Sequence, residues 1–188
     1  MTTRTIQLEK EIIFYCTLTC YRWISLFEIT NFYNDIYKWF DLLKKANNKI
    51  VGYVIMPNHL HVLIYVDKNS QIINKLVANG KRFMAYEMVN RLNLLEKTDL
   101  LRQLELGVSD HERKRGKLHQ VFQGSFDCKP CYSREFIVQK IDYIHCNPCA
   151  KKWNLVDEYV NYLHSSARFY ETDEHACYVV DDYRLLDW

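Results

Sequence analysis

An α+β fold built on an antiparallel sheet is what this sequence predicts, and three observations predict it. A β-branched and aromatic run lies near the start, two apolar runs flank a Pro-Asn dipeptide at 57–58, and the stretches between carry apolar residues at helical spacing. Residues 11–20, EIIFYCTLTC, read as a strand. From about Leu26 to Asn47, Phe27, Ile29, Phe32, Ile36, Trp39, Phe40 and Leu43 recur with the period of one continuous helix. IVGYVIM (50–56) and HLHVLIYV (59–66) read as two strands of a hairpin joined by Pro57-Asn58, a turn dipeptide.

Farther along, Ser70 is the expected cap of a helix running to about Asn93, with Ile72, Leu76, Phe83 and Met88 among its apolar positions. The segment Glu96–Lys117 alternates charge with leucine and contains HERKRGK; it reads as an irregular or partly helical, mobile insertion. HQVFQGS (119–125) is a further strand candidate, and Ser133 with Glu135 opens a helix whose Ile137, Ile141 and Ile144 share one face. Asn147-Pro148 should end it, since a residue before proline avoids the α region. This order suggests a sandwich with the helices packed mainly on one face of the sheet. The expectation is one domain over 1–188, with a charged insertion at about 94–118 and an irregular tail from about 150.

Composition narrows the function classes. With 188 residues, 48% hydrophobic and 26% charged, the chain has ordinary globular proportions, and no apolar run approaches the roughly 20 residues that span a bilayer. Glu9 and Glu11 precede the first apolar stretch and no small-residue cleavage site follows, so the N-terminus does not read as a secretory signal. Seven cysteines are then expected as free thiols in a reducing compartment, the cytoplasm. A net charge of +2 neither demands nor excludes nucleic acid, because a local patch matters more than the total.

The chemistry starts at His59 and His61. Residues i and i+2 of a strand project from one face, so two imidazoles can be offered to one ion; the plain alternative is one solvated and one hydrogen-bonded strand histidine. The setting, Met56-Pro57-Asn58-His59-Leu60-His61-Val62-Leu63-Ile64, resembles the His-hydrophobe-His motif of single-tyrosine transposases, above all their REP-associated branch. Tyr143-Ile144-His145-Cys146-Asn147-Pro148 resembles that branch's Tyr-Ile-His-x-Asn-Pro signature. Val121-Phe122-Gln123-Gly124-Ser125-Phe126 is similar to the strand before it, and Ser165-Ser166-Ala167-Arg168 to the block after it.

The resemblance spans roughly residues 10–172. It implies a ferredoxin-like (RRM-like) fold, often dimeric, that cleaves and rejoins hairpin-bearing single-stranded DNA beside the nucleoid through a 5′-phosphotyrosine, with Mg or Mn as cofactor. Tyr143 is then the nucleophile, and His59, His61 and Asn147 the metal ligands. The residues agree: Asn147 lies four positions after Tyr143, one turn along the same helix face, so one helix can deliver a nucleophile and an oxygen donor. A covalent link to tyrosine conserves the phosphodiester's energy for rejoining.

Other readings compete. A non-catalytic, hairpin-binding protein of the same fold would keep the sheet without the chemistry. Cys128-x-x-Cys131 and Cys146-x-x-Cys149 have near-ribbon spacing and would make a zinc-stabilised binding module, although the intervening residues read as helix. Candidate phosphate contacts are Lys75, Lys81 and Arg82 after the histidine strand, and Arg113, Lys114 and Arg115 in the basic run, whose plain alternative is a solvated surface.

Overall fold

The centre of the sheet is β1 (Ile12–Thr19), which is flanked by a strand on each edge and buries five of its eight residues, the other three being half-buried. The structure, a computed structural model, describes residues 6–124 and 127–186. Pro57 and Asn58 join β2 (Lys49–Met56) to β3 (His59–Val66), and β3 pairs antiparallel with β1 from Ile12↔Val66 to Thr19↔His59. β4 (Asp127–Cys131) closes the other side of β1, giving the order β2-β3-β1-β4, with all neighbours antiparallel.

The predicted helix 26–47 divides into α1 (Leu26–Ile29) and α2 (Tyr33–Lys45). Asn31, a residue type that tolerates left-handed backbone, has φ 47°, and the break lets Phe27 and Phe32 stack at 6.4 Å in the core. Arg91 then donates to the carbonyls exposed by the break, Thr30 O at 3.2 Å and Asn31 O at 3.1 Å. α3 (Ile73–Leu94) starts later than Ser70 predicts. Asp67 accepts from the Asn69 and Ser70 amides in a turn, and the buried Ser70 hydroxyl caps nothing and has no partner among the described residues.

Two helices form within 98–114, α4 (Thr98–Leu106) and α5 (Asp110–Lys114); Leu101 and Leu104 enter the core while α5 stays at the surface. The strand expected at 119–125 is reduced to a single bridge, Phe122 with Cys20, and Ser125 and Phe126 lie outside the described residues. β4 was instead hidden by Pro130 and two cysteines, which mask the alternation; proline is tolerated there because β4 is an edge strand. The Ser133 hydroxyl accepts from the Phe136 amide and caps α6 (Arg134–Cys146), as expected. α7 (Ala167–Thr172) follows in the otherwise irregular C-terminal region.

Alternation separates two layers. Phe14, Cys16, Leu18, Leu60, Val62 and Ile64 face α1 to α4, whereas Ile13, Tyr15, Val54 and Leu63 face Ile137, Ile141 and Ile144 of α6. Most helices thus cover one face, and α6 stands alone among the longer helices on the other. The outer edge of β2 is occupied by 164–166: Ile55 N–H donates to His164 O at 2.8 Å and Ser166 N–H to Tyr53 O at 3.0 Å, which blunts the edge against pairing with another chain. Among the described residues no helix is long and apolar enough to cross a membrane.

α2 and α3 approach closely at Gly80, where a β-carbon would stand 2.5 Å from the Trp39 indole nitrogen. Gly80→Ala should therefore lower unfolding free energy by about 1–3 kcal/mol despite alanine's better helix propensity. The shift in a urea midpoint measures it, and an unchanged or raised midpoint would refute the close approach.

Candidate active site

In β3, Leu60 and Val62 go to the core layer, which sends His59 and His61 to the α6 face, with ring centroids 4.9 Å apart and nearly perpendicular planes. Register sets their neighbours: Met56 and Thr19 flank His59, Val54 and Thr17 flank His61, and Asp127 lies opposite Thr17 one strand farther. Both rings are buried, and each is held through Nδ1. His59 Nδ1 meets Asn58 Oδ1 at 2.7 Å; His61 Nδ1 meets the Tyr15 hydroxyl at 2.8 Å and the Thr17 hydroxyl at 2.9 Å. An amide oxygen only accepts, so His59 carries its proton on Nδ1 and presents the lone pair of Nε2. Fixing one ring nitrogen to orient the other is how metal-binding histidines are commonly supported.

Burial keeps these imidazoles uncharged. Desolvation, with Lys152 adding to it, pushes His59 down to about 4; desolvation, then His59 and Lys140, pushes His61 down to about 3. The Tyr15 phenol is pushed up by burial, so it serves as a neutral hydroxyl partner.

Across from β3, α6 brings Tyr143 to His61, with ring centroids 5.6 Å apart in an edge-to-face arrangement, and 54% of Tyr143 remains exposed. Asn147, one turn on in the 3-10 turn Asn147–Cys149, has its amide nitrogen position buried with no hydrogen-bond partner among the described residues. His145 turns the other way and is buried, its Nε2 2.8 Å from the Ser166 hydroxyl.

Sequence reasoning missed four side chains around this pair. Trp23 and Trp153 flank His59, Lys152 lies over both indoles, and Lys140 sits 5.3 Å from the Tyr15 ring. Lys140 was legible, being three residues before Tyr143; the tryptophans come from segments 130 residues apart and had no local signal.

Neither cysteine pair is assembled into a four-ligand site. Cys128 lies opposite Cys16 in the core layer, their sulfurs 2.7 Å apart, while Cys131 faces the α6 layer, because positions i and i+3 of a strand point oppositely. Among the described residues no group of three or more His, Cys, Asp or Glu is placed to hold a metal ion.

Of the basic candidates, Lys81, Arg82 and Arg115 line a groove of about 760 Å³ between α3 and residues 115–124; Lys75, Arg113 and Lys114 lie outside its lining. Lys81 is largely committed to structure, donating to Gln123 O at 2.9 Å, and burial followed by repulsion from Lys117 lowers it to about 8. Arg113 donates to Glu105 O.

Histidines that are neutral when folded but free to charge when unfolded make the unfolded state bind more protons below about pH 6.5. Stability should therefore fall as pH drops from about 6.5 towards 4, by roughly 1.4 kcal/mol per pH unit for each such histidine in the middle of that window. Imidazole NMR titration should find His59 and His61 neutral at pH 5.5, with His59 as the Nδ1–H tautomer. Midpoints near 6.5 would contradict the desolvated geometry.

No family model and no curated protein matches the chain. The solved structures similar to it include two transposases. A candidate transposase from Deinococcus radiodurans is 16% identical with a TM-score of 0.44, covering 77% of this chain and 95% of that one. The REP-associated tyrosine transposase bound to a REP hairpin is 13% identical with a TM-score of 0.64, covering 100% of this chain and 98% of that one. Over its whole length the chain therefore has the fold of that transposase, a four-stranded antiparallel sheet with helices.

Proposed function

We propose that this protein is a metal-dependent tyrosine transposase that cleaves and rejoins single-stranded DNA beside hairpins. The observation that carries the reading is the meeting of Tyr143 on α6 with His61 on β3: a partly exposed phenol meets one of a pair of buried, neutral imidazoles whose Nδ1 atoms are tied back. The shared fold supports it, since the similar transposase is bound to a REP hairpin.

His59 and His61 through Nε2, and Asn147 through its amide oxygen, would hold Mg or Mn. The fit rests on the donor set, two neutral imidazoles and an amide oxygen; the buried Asn147 atom without a partner among the described residues is Nδ2, a donor that a phosphate oxygen, not a cation, would satisfy. Two imidazoles and one amide would leave the ion's remaining positions to phosphate and water oxygens. When bound, the ion supplies charge neutralisation to the scissile phosphate.

Bond-making belongs to Tyr143. Its Oη attacks phosphorus, an Oη–P bond forms to the 5′ side, and the P–O3′ bond breaks. The phenol loses a proton and the departing 3′ oxygen gains one. Attack by a 3′-hydroxyl on the phosphotyrosine reverses the step and joins the strands, with no ATP required. Tyr15 also reaches His61, but its hydroxyl is committed to Nδ1 and shielded by burial, so it orients rather than attacks.

The α3 groove is the proposed path for the flanking strand. Its Gln123 amide donates to Thr19 O, at the β1 end that pairs with His59, which ties one wall of the groove to the sheet end that carries the histidines.

Labelled hairpin-bearing single strands incubated with Mn or Mg should give a covalent adduct that survives denaturation. Tyr143→Phe, His61→Ala and chelation by EDTA should each abolish it, and added Mn should restore the chelated sample. An equal adduct from Tyr143→Phe would remove the nucleophile assignment, and hairpin binding without adduct across a broad library would favour a binding-only role. Arg82→Ala or Arg115→Ala should flatten log affinity against log salt by about one unit of slope, whereas Lys75→Ala should leave it unchanged.

A further inference from the structure

Beside His59 lies a feature that the cleavage chemistry leaves unused. Trp23 and Trp153 contact the imidazole with ring centroids 5.4 and 5.3 Å away, and lie 6.3 Å from each other with a 36° tilt. Lys152 Nζ stands over both indoles, 4.5 Å from one centroid and 4.7 Å from the other. A pure shield for His59 would bury its indoles, yet Trp23 is 48% exposed.

The backbone under Trp23 is held in an unusual form. Arg22 and Trp23 both have positive φ, 51° and 60°, a region that bulky residues rarely adopt and that persists only where surroundings enforce it. Asn58 does the enforcing: its Nδ2 donates to Trp23 O at 2.8 Å, its backbone carbonyl accepts from Cys20 N–H at 2.9 Å, and its Oδ1 accepts from His59 Nδ1 at 2.7 Å. One buried residue thereby ties the Trp23 backbone and the adjacent imidazole into a single frame.

We propose that Trp23, backed by Trp153, is a stacking shelf for the unpaired nucleobase next to the scissile phosphate, with Lys152 as the contact to the neighbouring phosphate. An exposed indole offers its face to any base, and an adjacent ammonium supplies the charge that a sugar-phosphate chain requires, a combination that holds single strands with little sequence preference. The gap between the two indoles is too narrow for a base to enter, so the base stacks on the outer face of Trp23. The position of the shelf relative to the cut rests on the proposed function; its existence as a base-binding surface does not.

Binding is therefore measured without metal, in EDTA, on the full chain. The probes are an oligothymidylate about 12 nucleotides long and an abasic sugar-phosphate strand of equal length. The oligothymidylate should quench tryptophan fluorescence and bind about ten-fold more tightly than the abasic strand. Trp23→Ala should lose about ten-fold in oligothymidylate affinity, one base-stacking contact's worth, with no change for the abasic strand, and Trp23→Phe should stay within about three-fold of wild type. Lys152→Ala should lower the salt slope by about one for both strands.

Equal binding of the two strands by the wild type, or undiminished oligothymidylate binding by a folded Trp23→Ala, overturns the shelf. If Trp23→Ala does not fold, the two-strand comparison on wild type and Trp23→Phe still decides. Base-dependent binding with no adduct on any strand would sink the cleavage reading while leaving the shelf; an adduct without base dependence would do the reverse.

Discussion

A slip of one residue between β1 and β3 would carry His59 and His61 into the apolar layer and turn Leu60, Val62 and Ile64 towards α6. The buried His61 would then lose its Tyr15 and Thr17 partners, at about 1–3 kcal/mol for a buried polar group left unsatisfied, so this pairing is the constraint on which both faces depend. Its register is pinned at the hairpin end as well: Pro57 O accepts from Phe27 N–H, and Asn58 O from Cys20 N–H. The turn that aims the histidines is thus fastened to α1 and to the end of β1, and the candidate site inherits its geometry from the core.

On that frame the buried histidines of the site take their partners from neighbouring strands or turns. Thr17 and Tyr15 from β1 and Asn58 from the hairpin each satisfy an imidazole nitrogen, and Ser166 from the C-terminal region satisfies His145. Burial without such partners would be costly; with them, it keeps the imidazoles neutral and rigid. The same environment separates two tyrosines that both approach His61. Tyr15 is buried and hydrogen-bonded, while Tyr143 stands at the rim, open to solvent, as the proposed nucleophile requires.

Charge is distributed to match. Lys140 and Lys152 stand on the α6 side, near a site where a phosphate would have to be neutralised, and their field helps keep the histidines unprotonated. Arg82 and Arg115 sit on the other side of the sheet's end, lining the α3 groove. A net charge of only +2 conceals this, since acidic residues elsewhere balance the total.

Much of this arrangement is legible in the order of residues alone. Period-2 and period-3.6 patterns locate three of the four strands and the main helices, and the i, i+2 and i, i+4 spacings put His59 beside His61 and Asn147 one turn beyond Tyr143. The break at Asn31 and the proline-bearing β4 are not legible, because each depends on what packs against it: the Phe27–Phe32 stack and Arg91 in one case, an edge position beside β1 in the other. The sequence by itself determined which side chains share a face, since that follows from local backbone geometry. Only the tertiary structure decided that α6 lies over the histidine face, that Tyr15 and Thr17 orient His61, that Cys128 and Cys131 part to opposite layers, and that Trp23 and Trp153 converge on His59. Those contacts join residues far apart in the chain, and no local period encodes them.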